Sequence, residues 1–125
     1  MKLAVCAQNE GLTADVDQRF GRCPYFVVVD SEKGELLESI RNISAEAAGG
    51  AGPQSAQLLE KSGVEAVVLG NVGPNAAAAL EAAGIKVYSG VEGTVKNTLE
   101  KFKAGKLSPI SAATVSSHFG TRRNR

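Results

Sequence analysis

The second half of the chain is punctuated twice in the same way: Gly52-Pro53 opens a helix-like stretch that Gly63 closes, and Gly73-Pro74 opens another that Gly84 closes. Proline at the first helical position gives up an amide that would have no intrahelical partner, and glycine just past the last turn takes the left-handed conformation that ends a helix. The spacing predicts helices over 53–61 and 74–83. Each is followed by a short apolar run, Ala66 to Leu69 and Ile85 to Tyr88, of strand rather than helix length. A third helix is expected from Thr94 to Lys103, where Val95, Leu99 and Phe102 recur at helical spacing. Short apolar strands alternating with helices commit this part of the chain to an α/β fold with parallel strands.

The first forty residues supply the rest of the sheet. Leu3 to Ala7 is continuously apolar, the pattern of a central strand covered on both faces. Phe26 to Asp30 and Gly34 to Ile40 flank the turn Asp30-Ser31-Glu32-Lys33-Gly34 and pair as a hairpin. A long loop, Asn9 to Cys23, separates the first strand from the second. Right-handed crossovers then favour a five-stranded mixed sheet of order 3-2-1-4-5, with strand 2 antiparallel and three helices, which is the ribonuclease H-like arrangement. A length of 125 residues suits one such core, expected over residues 1–107. Residues 108–125, which include His118 and end in Gly120-Thr121-Arg122-Arg123-Asn124-Arg125, show no sustained period and are expected to form a flexible C-terminal tail. The edge strand Ile85 to Tyr88 offers a route to a homodimer, with a monomer equally open.

Fourteen basic against thirteen acidic side chains leave a net charge of +1, too little to attract a long polyanion, so nucleic acid is not expected as a partner. No run of about eighteen apolar residues is present to cross a membrane, and the N-terminal apolar stretch is too short for a secretory signal. A cytoplasmic location follows as the expectation. In that compartment Cys6 and Cys23 are not expected to form a structural disulfide; each is a small buried hydrophobe or a reactive or metal-binding thiol. Cys6, in mid-strand, reads as core. Cys23 lies beside Arg19 and Arg22, whose charges favour a thiolate, and is the candidate metal ligand. His118 reads as an incidental exposed residue.

On the expected topology three loops meet at the carboxyl ends of the strands, where open α/β sheets bind ligands: Asn9 to Cys23, Gly49 to Pro53, and Gly70 to Pro74. Two of them lead into helix N-termini, whose free amides and positive dipole ends attract anions. The candidate binding residues are Arg19, Gly21, Arg22, Cys23, Gly49, Gly50, Gly52, Asn71 and Gly73. Glycines there would let backbone amides approach a ligand, and the arginines would add forked donors. Each also has a plainer structural reading, since glycine-rich turns reverse the chain in most α/β domains and surface arginines are commonly just solvated. Enzymatic readings fare worse. A metal-dependent nuclease needs carboxylates on its first strand, and Lys2 to Gln8 contains none. The stretch Gly49 to Pro53 lacks the lysine and hydroxyl residue of a phosphate-binding loop, and a single histidine near the C-terminus leaves no hydrolytic triad. A binding or carrier protein, not an enzyme, is expected.

Four segments, taken in order over residues 1 to about 107, resemble the dinitrogenase iron-molybdenum cofactor biosynthesis family, which includes nitrogenase accessory factors and small stand-alone proteins of anaerobes. They are Arg19-Phe20-Gly21-Arg22-Cys23-Pro24-Tyr25-Phe26, Gly49-Gly50-Ala51-Gly52-Pro53-Gln54, Val67 to Ala76, and Gly84-Ile85-Lys86-Val87-Tyr88. The resemblance implies the ribonuclease H-like fold and a role in carrying or inserting metal-sulfur clusters of iron-sulfur, iron-molybdenum or molybdenum-copper sulfide type. It also implies a cofactor-assembly or electron-transfer protein as partner. The small members include the orange protein of sulfate reducers, which holds a molybdenum-copper sulfide cluster without covalent attachment. Many relatives carry a histidine just before the phenylalanine and glycine; here that position is Arg19, whose guanidinium offers no lone pair for a metal. The cluster, an anion, would then be held by Arg19, Arg22 and helix amides, with Cys23 as a single possible ligand. The competing expectations are a protein-binding adaptor that holds no metal and a domain that binds a small phosphorylated or carboxylated metabolite.

Overall fold

The fold was obtained as a computed structural model that describes residues 1–46 and 50–110. Its centre is β1 (Lys2–Ala7), in which every residue after Lys2 is buried. Alternate side chains supply both faces: Ala4 and Cys6 point into one core, Leu3, Val5 and Ala7 into the other. β2 (Tyr25–Asp30) pairs antiparallel with β1, and β3 (Glu35–Arg41) pairs antiparallel with β2. The hairpin turn is fixed by Asp30, whose carboxylate accepts from the backbone amides of Glu32 and Lys33, and by Gly34 at φ 71°. On the other side of β1 lie β4 (Ala66–Leu69), parallel to β1, and β5 (Lys86–Ser89), parallel to β4.

Two layers of helix cover this sheet. α1 (Ala51–Lys61) and α2 (Pro74–Ala82) bury Ala56, Leu59, Ala76 and Leu80 against the face that carries Cys6, Phe26, Val67 and Leu69. α3 (Val95–Lys103) buries Val95 and Leu99 against Leu3, Val5, Val27 and Val68 on the opposite face. A fully buried leucine such as Leu59 or Leu80 contributes about 1.5–3 kcal/mol by burial. Gly63 and Gly84 stand one residue past the helix caps at φ 74° and 75°, so the glycine stops of the sequence act as expected.

Several expectations need correction. The sheet has six strands in the order β3-β2-β1-β4-β5-β6, because Ser108–Ile110 forms β6 and pairs antiparallel with β5. Three residues are too few to show a period, and the segment becomes a strand by pairing with β5 rather than belonging to a tail that starts at residue 108. It also covers the edge at Ile85 to Tyr88 that was open as a route to a homodimer; among the described residues the sheet edges are β3 and β6. Residues 111–125, with His118, lie outside the described residues. α1 starts at Ala51, two residues before the predicted start. Gly50, at φ 72°, turns the chain into the helix, and Pro53 occupies the third helical position, where its missing amide still has no intrahelical acceptor to lose. Among the described residues no helix is long and apolar enough to cross a membrane.

Candidate functional site

The strand ends meet as the topology requires. Phe20, Gly21 and Arg22 from the loop after β1, Gly50 to Pro53 at the start of α1, and Asn71 to Ala76 between β4 and α2 line a solvent-open cavity of about 320 Å³. Both helices point their N-termini into it. Neither is capped by a side chain, and neither has an acidic residue in its first turn. α3, away from this cavity, is finished differently: Thr94 accepts from the amide of Asn97, and the Asn97 side chain accepts in return from the amide of Thr94. The two helix ends at the cavity thus keep their positive dipole ends and amide donors turned toward whatever enters.

The glycines divide by what surrounds them. A Cβ on Gly21 would come within 2.8 Å of the Gly52 backbone nitrogen, and one on Gly52 within 2.6 Å of the Ala76 Cβ. A Cβ on Gly70 would meet the Gln18 side chain at 2.0 Å. These three let the loop after β1, α1 and α2 press together, so they build the wall rather than admit a ligand. Gly73 has nothing within 4 Å of its would-be Cβ and faces open space. Gly49 lies outside the described residues.

The charged residues divide as well. Arg19 turns back onto Asp17: its Nε and Nη2 donate to the two carboxylate oxygens at 3.0 and 2.8 Å, and its backbone amide donates to Oδ1 at 2.9 Å. Asp17 is 2% exposed and Arg19 63% exposed. The hydrogen bond from the Arg19 side chain holds the Asp17 carboxyl below its usual range and pushes Arg19 up. Arg19 is therefore not a cavity wall. Arg22 does line the cavity, and its Nη1 donates to the Ala45 carbonyl at 2.8 Å. Cys23, the expected metal ligand, is fully buried behind the cavity in the same core cluster as Cys6, Phe20 and Phe26. Its thiol lies 3.6 Å from the Phe20 carbonyl oxygen. The proline after it leads directly into β2, which draws the side chain inward. Cys6 is core, as expected, and burial, reinforced by the neighbouring Cys23, pushes its thiol up. No thiol, imidazole or carboxylate lines the cavity among the described residues, and no group of three or more such side chains could hold a metal ion there.

The sequence profile of the family described as dinitrogenase iron-molybdenum cofactor matches residues 1–105. The chain belongs to this family. An uncharacterised protein of Methanocaldococcus jannaschii is 34% identical over 109 residues, which span 86% of this chain and 89% of that protein. The apo form of the orange protein from Desulfovibrio gigas is 40% identical and superposes with a TM-score of 0.80, over 88% of this chain and 96% of the other. A NifB-like protein of Thermotoga is 37% identical at a TM-score of 0.74, over 86% and 91% of the two chains. Family membership and these neighbours connect the chain with iron-molybdenum cofactor or cluster biosynthesis or binding.

Two residues that hold the site together were missed from the sequence. Asp17 fixes the loop by binding the Arg19 amide, and the Asp-Gln-Arg spacing was its local signal. Asn42, just past β3, is 4% exposed and uses all of its amide. Its Nδ2 donates to the carbonyls of Gly21 and Cys23 at 3.2 and 2.9 Å; its Oδ1 accepts from the Ser44 amide and the Ser55 hydroxyl, each at 3.2 Å. Nothing local in the sequence marks Asn42, because its partners lie at separations of up to 21 residues.

Proposed function

We propose that the cavity holds an anionic metal-sulfur cluster that brings its own complete coordination shell, and that the protein carries or delivers such a cluster rather than transforming it. The observation that carries this reading is the convergence of two uncapped helix N-termini on one cavity whose walls, among the described residues, offer donors and no metal ligand. Amide donors and Arg22 can bind the sulfide or oxide periphery of a thiometallate, but they cannot complete the coordination of an iron left open. A cluster that depends on protein thiolates therefore does not fit, and Cys23, buried behind the wall, cannot repair this. The partner is inferred to be a cofactor-assembly or electron-transfer protein, from the family's connection with cofactor biosynthesis. The order β3-β2-β1-β4-β5 supports a ribonuclease H-like reading of the architecture, while β1 lacks the carboxylates such a nuclease would need. The same donors suit a small oxyanion, so the test has two arms. Anaerobically purified protein is mixed with tetrathiomolybdate and copper, or with inorganic phosphate, and desalted. Retained molybdenum with visible absorption, lost in Arg22→Ala, is the expected result. Retention of neither metal nor colour overturns the cluster reading, and stabilisation by phosphate alone would replace it with the oxyanion.

A further inference from the structure

We infer that Asn42 is a positioning residue of the cavity: it sets the distance between the Phe20–Cys23 turn and the N-terminus of α1, and so determines whether both can touch one anion. This rests on the anion-binding reading above. The turn is held on its other sides by the Phe20 amide, which donates to the Asn71 carbonyl at 3.2 Å, by the Cys23 amide, which donates to the Arg19 carbonyl at 2.9 Å, and by the burial of Phe20 and Cys23, but neither of those bonds reaches α1. The turn's carbonyls at Gly21 and Cys23 face inward, and both are satisfied by the two hydrogens of the Asn42 amide. The opposite side of that amide is anchored on α1, where the Ser55 hydroxyl donates to Oδ1, and on the following turn through the Ser44 amide. The Asn42 backbone amide donates to the Pro24 carbonyl at 2.8 Å, so the residue cannot swing away from the start of β2. One buried side chain thus ties two walls of the cavity to the end of β3.

The spacing it sets is tight. Gly21 lies so close to Gly52 that a Cβ would intrude on the first-turn backbone of α1. Without the Nδ2 donors, the buried Cys23 carbonyl and the half-buried Gly21 carbonyl lose their partners, and the turn gains by moving outward to water. That movement takes the Gly21 and Arg22 wall away from the α1 amides. A donor set built for one anion is sensitive to this, because hydrogen bonds weaken steeply beyond normal length and angle.

The experiment compares wild type, Asn42→Ala, Ser55→Ala and Gly21→Ala, with tetrathiomolybdate as the probe. Dissociation constants come from visible absorption, and amide contacts come from nitrogen-15 NMR, both well below the melting temperatures. Asn42→Ala should weaken binding by about tenfold or more. It should also abolish the probe-induced shifts of the Gly21 and Arg22 amides while those of Asn75 and Ala76 remain. Ser55→Ala cuts the anchor of Oδ1 on α1 but leaves the Nδ2 bonds in place; it should cost melting temperature and lose affinity by about two- to threefold, less than Asn42→Ala, while the probe-induced shifts of the Gly21 and Arg22 amides remain. Gly21→Ala pushes the same turn off α1 by another route and carries the test if Asn42→Ala does not fold; it should lose affinity likewise. Wild-type affinity in Asn42→Ala or in Gly21→Ala, or equal losses in Asn42→Ala and Ser55→Ala, would overturn the positioning role alone. Absence of probe binding by wild type would overturn the anion-binding reading and this inference with it.

Discussion

Gly73 is where stability and anion binding should oppose each other. It is the N-cap of α2 with an extended backbone, φ −79° and ψ 168°, which any residue can adopt, and a Cβ there meets nothing within 4 Å. Aspartate at this position would cap a free amide, worth a few tenths of a kcal/mol over glycine. It would add about 0.3–1 kcal/mol by placing a negative charge at the helix N-terminus, and about 0.4–1 kcal/mol by restricting the unfolded chain. The sum is about 1–2 kcal/mol, or roughly 3–8 °C in melting temperature for a chain of this size. The same carboxylate would stand in the cavity and occupy the donors an anion needs. Two unit charges about 5 Å apart near a protein surface repel by about 3 kcal/mol before salt screening, so a loss of at least about tenfold in affinity is expected. Gly73→Ser should show the same signs on a smaller scale, since it caps without charge. Thermal melts and tetrathiomolybdate titration of the three proteins decide the matter. If Gly73→Asp is more stable yet binds as well as wild type, the anion does not sit at α2. If it is less stable, the helix end is not open in the way described.

Other perturbations separate wall from ligand. Gly52→Ala should gain helix propensity of about 1 kcal/mol but collide with Ala76, for a net loss of about 1–2 kcal/mol; adding Ala76→Gly should recover part of it, and a double-mutant cycle in urea would detect the coupling. Arg19→Ala leaves the Asp17 carboxylate buried without its cation and should lower the melting temperature, whereas Arg22→Ala, at an exposed side chain, should lower it less while weakening anion binding. Equal stability losses in the two arginine variants would refute the assignment of Arg19 to structure. The pH dependence follows from Asp17, whose carboxyl is lowered in the folded protein relative to 3.8. Its stabilising contribution is complete above the unfolded value and disappears as pH falls through the lower folded one. Chemical denaturation should therefore show wild type losing its advantage over Asp17→Asn in that acid range; a gap that persists at the acid end would contradict it.

The fold was legible where the determinants are local. Glycine stops, the Asp30 to Gly34 turn and the apolar run of β1 each act within a few residues of where they stand, and these elements fell within a residue or two of their predicted bounds. Strand β6 escaped because Ser-Pro-Ile carries no pattern of its own and becomes a strand by pairing with β5. The site was legible at the level of which loops meet, because that follows from topology. Its chemistry was not. A sequence places Arg19 and Cys23 beside each other, but whether a side chain turns outward depends on tertiary partners. Asp17 claims the guanidinium, and the entry into β2 claims the thiol. The expected thiolate assumed an exposed cysteine between two free cations, and neither condition holds at Cys23 and Arg19.

What distinguishes the cavity from an ordinary loop junction is that its helix ends are left unfinished beside a chain that finishes another. α3 receives a reciprocal cap from Thr94 and Asn97, while α1 and α2 begin at bare glycines. A side-chain cap contributes a few tenths of a kcal/mol over glycine, and both open ends lie on the same cavity. If chain reversal were the sole requirement at these ends, serine or aspartate would serve at Gly73, where space and backbone conformation both permit them. The packing glycines have no such freedom, since Gly21 and Gly52 are fixed by contact with neighbouring backbone and side chain. Steric need therefore accounts for the wall, and it does not account for Gly73. The uncapped end at Gly73 is thus the feature on which the proposed anion site rests, and the feature that Gly73→Asp tests.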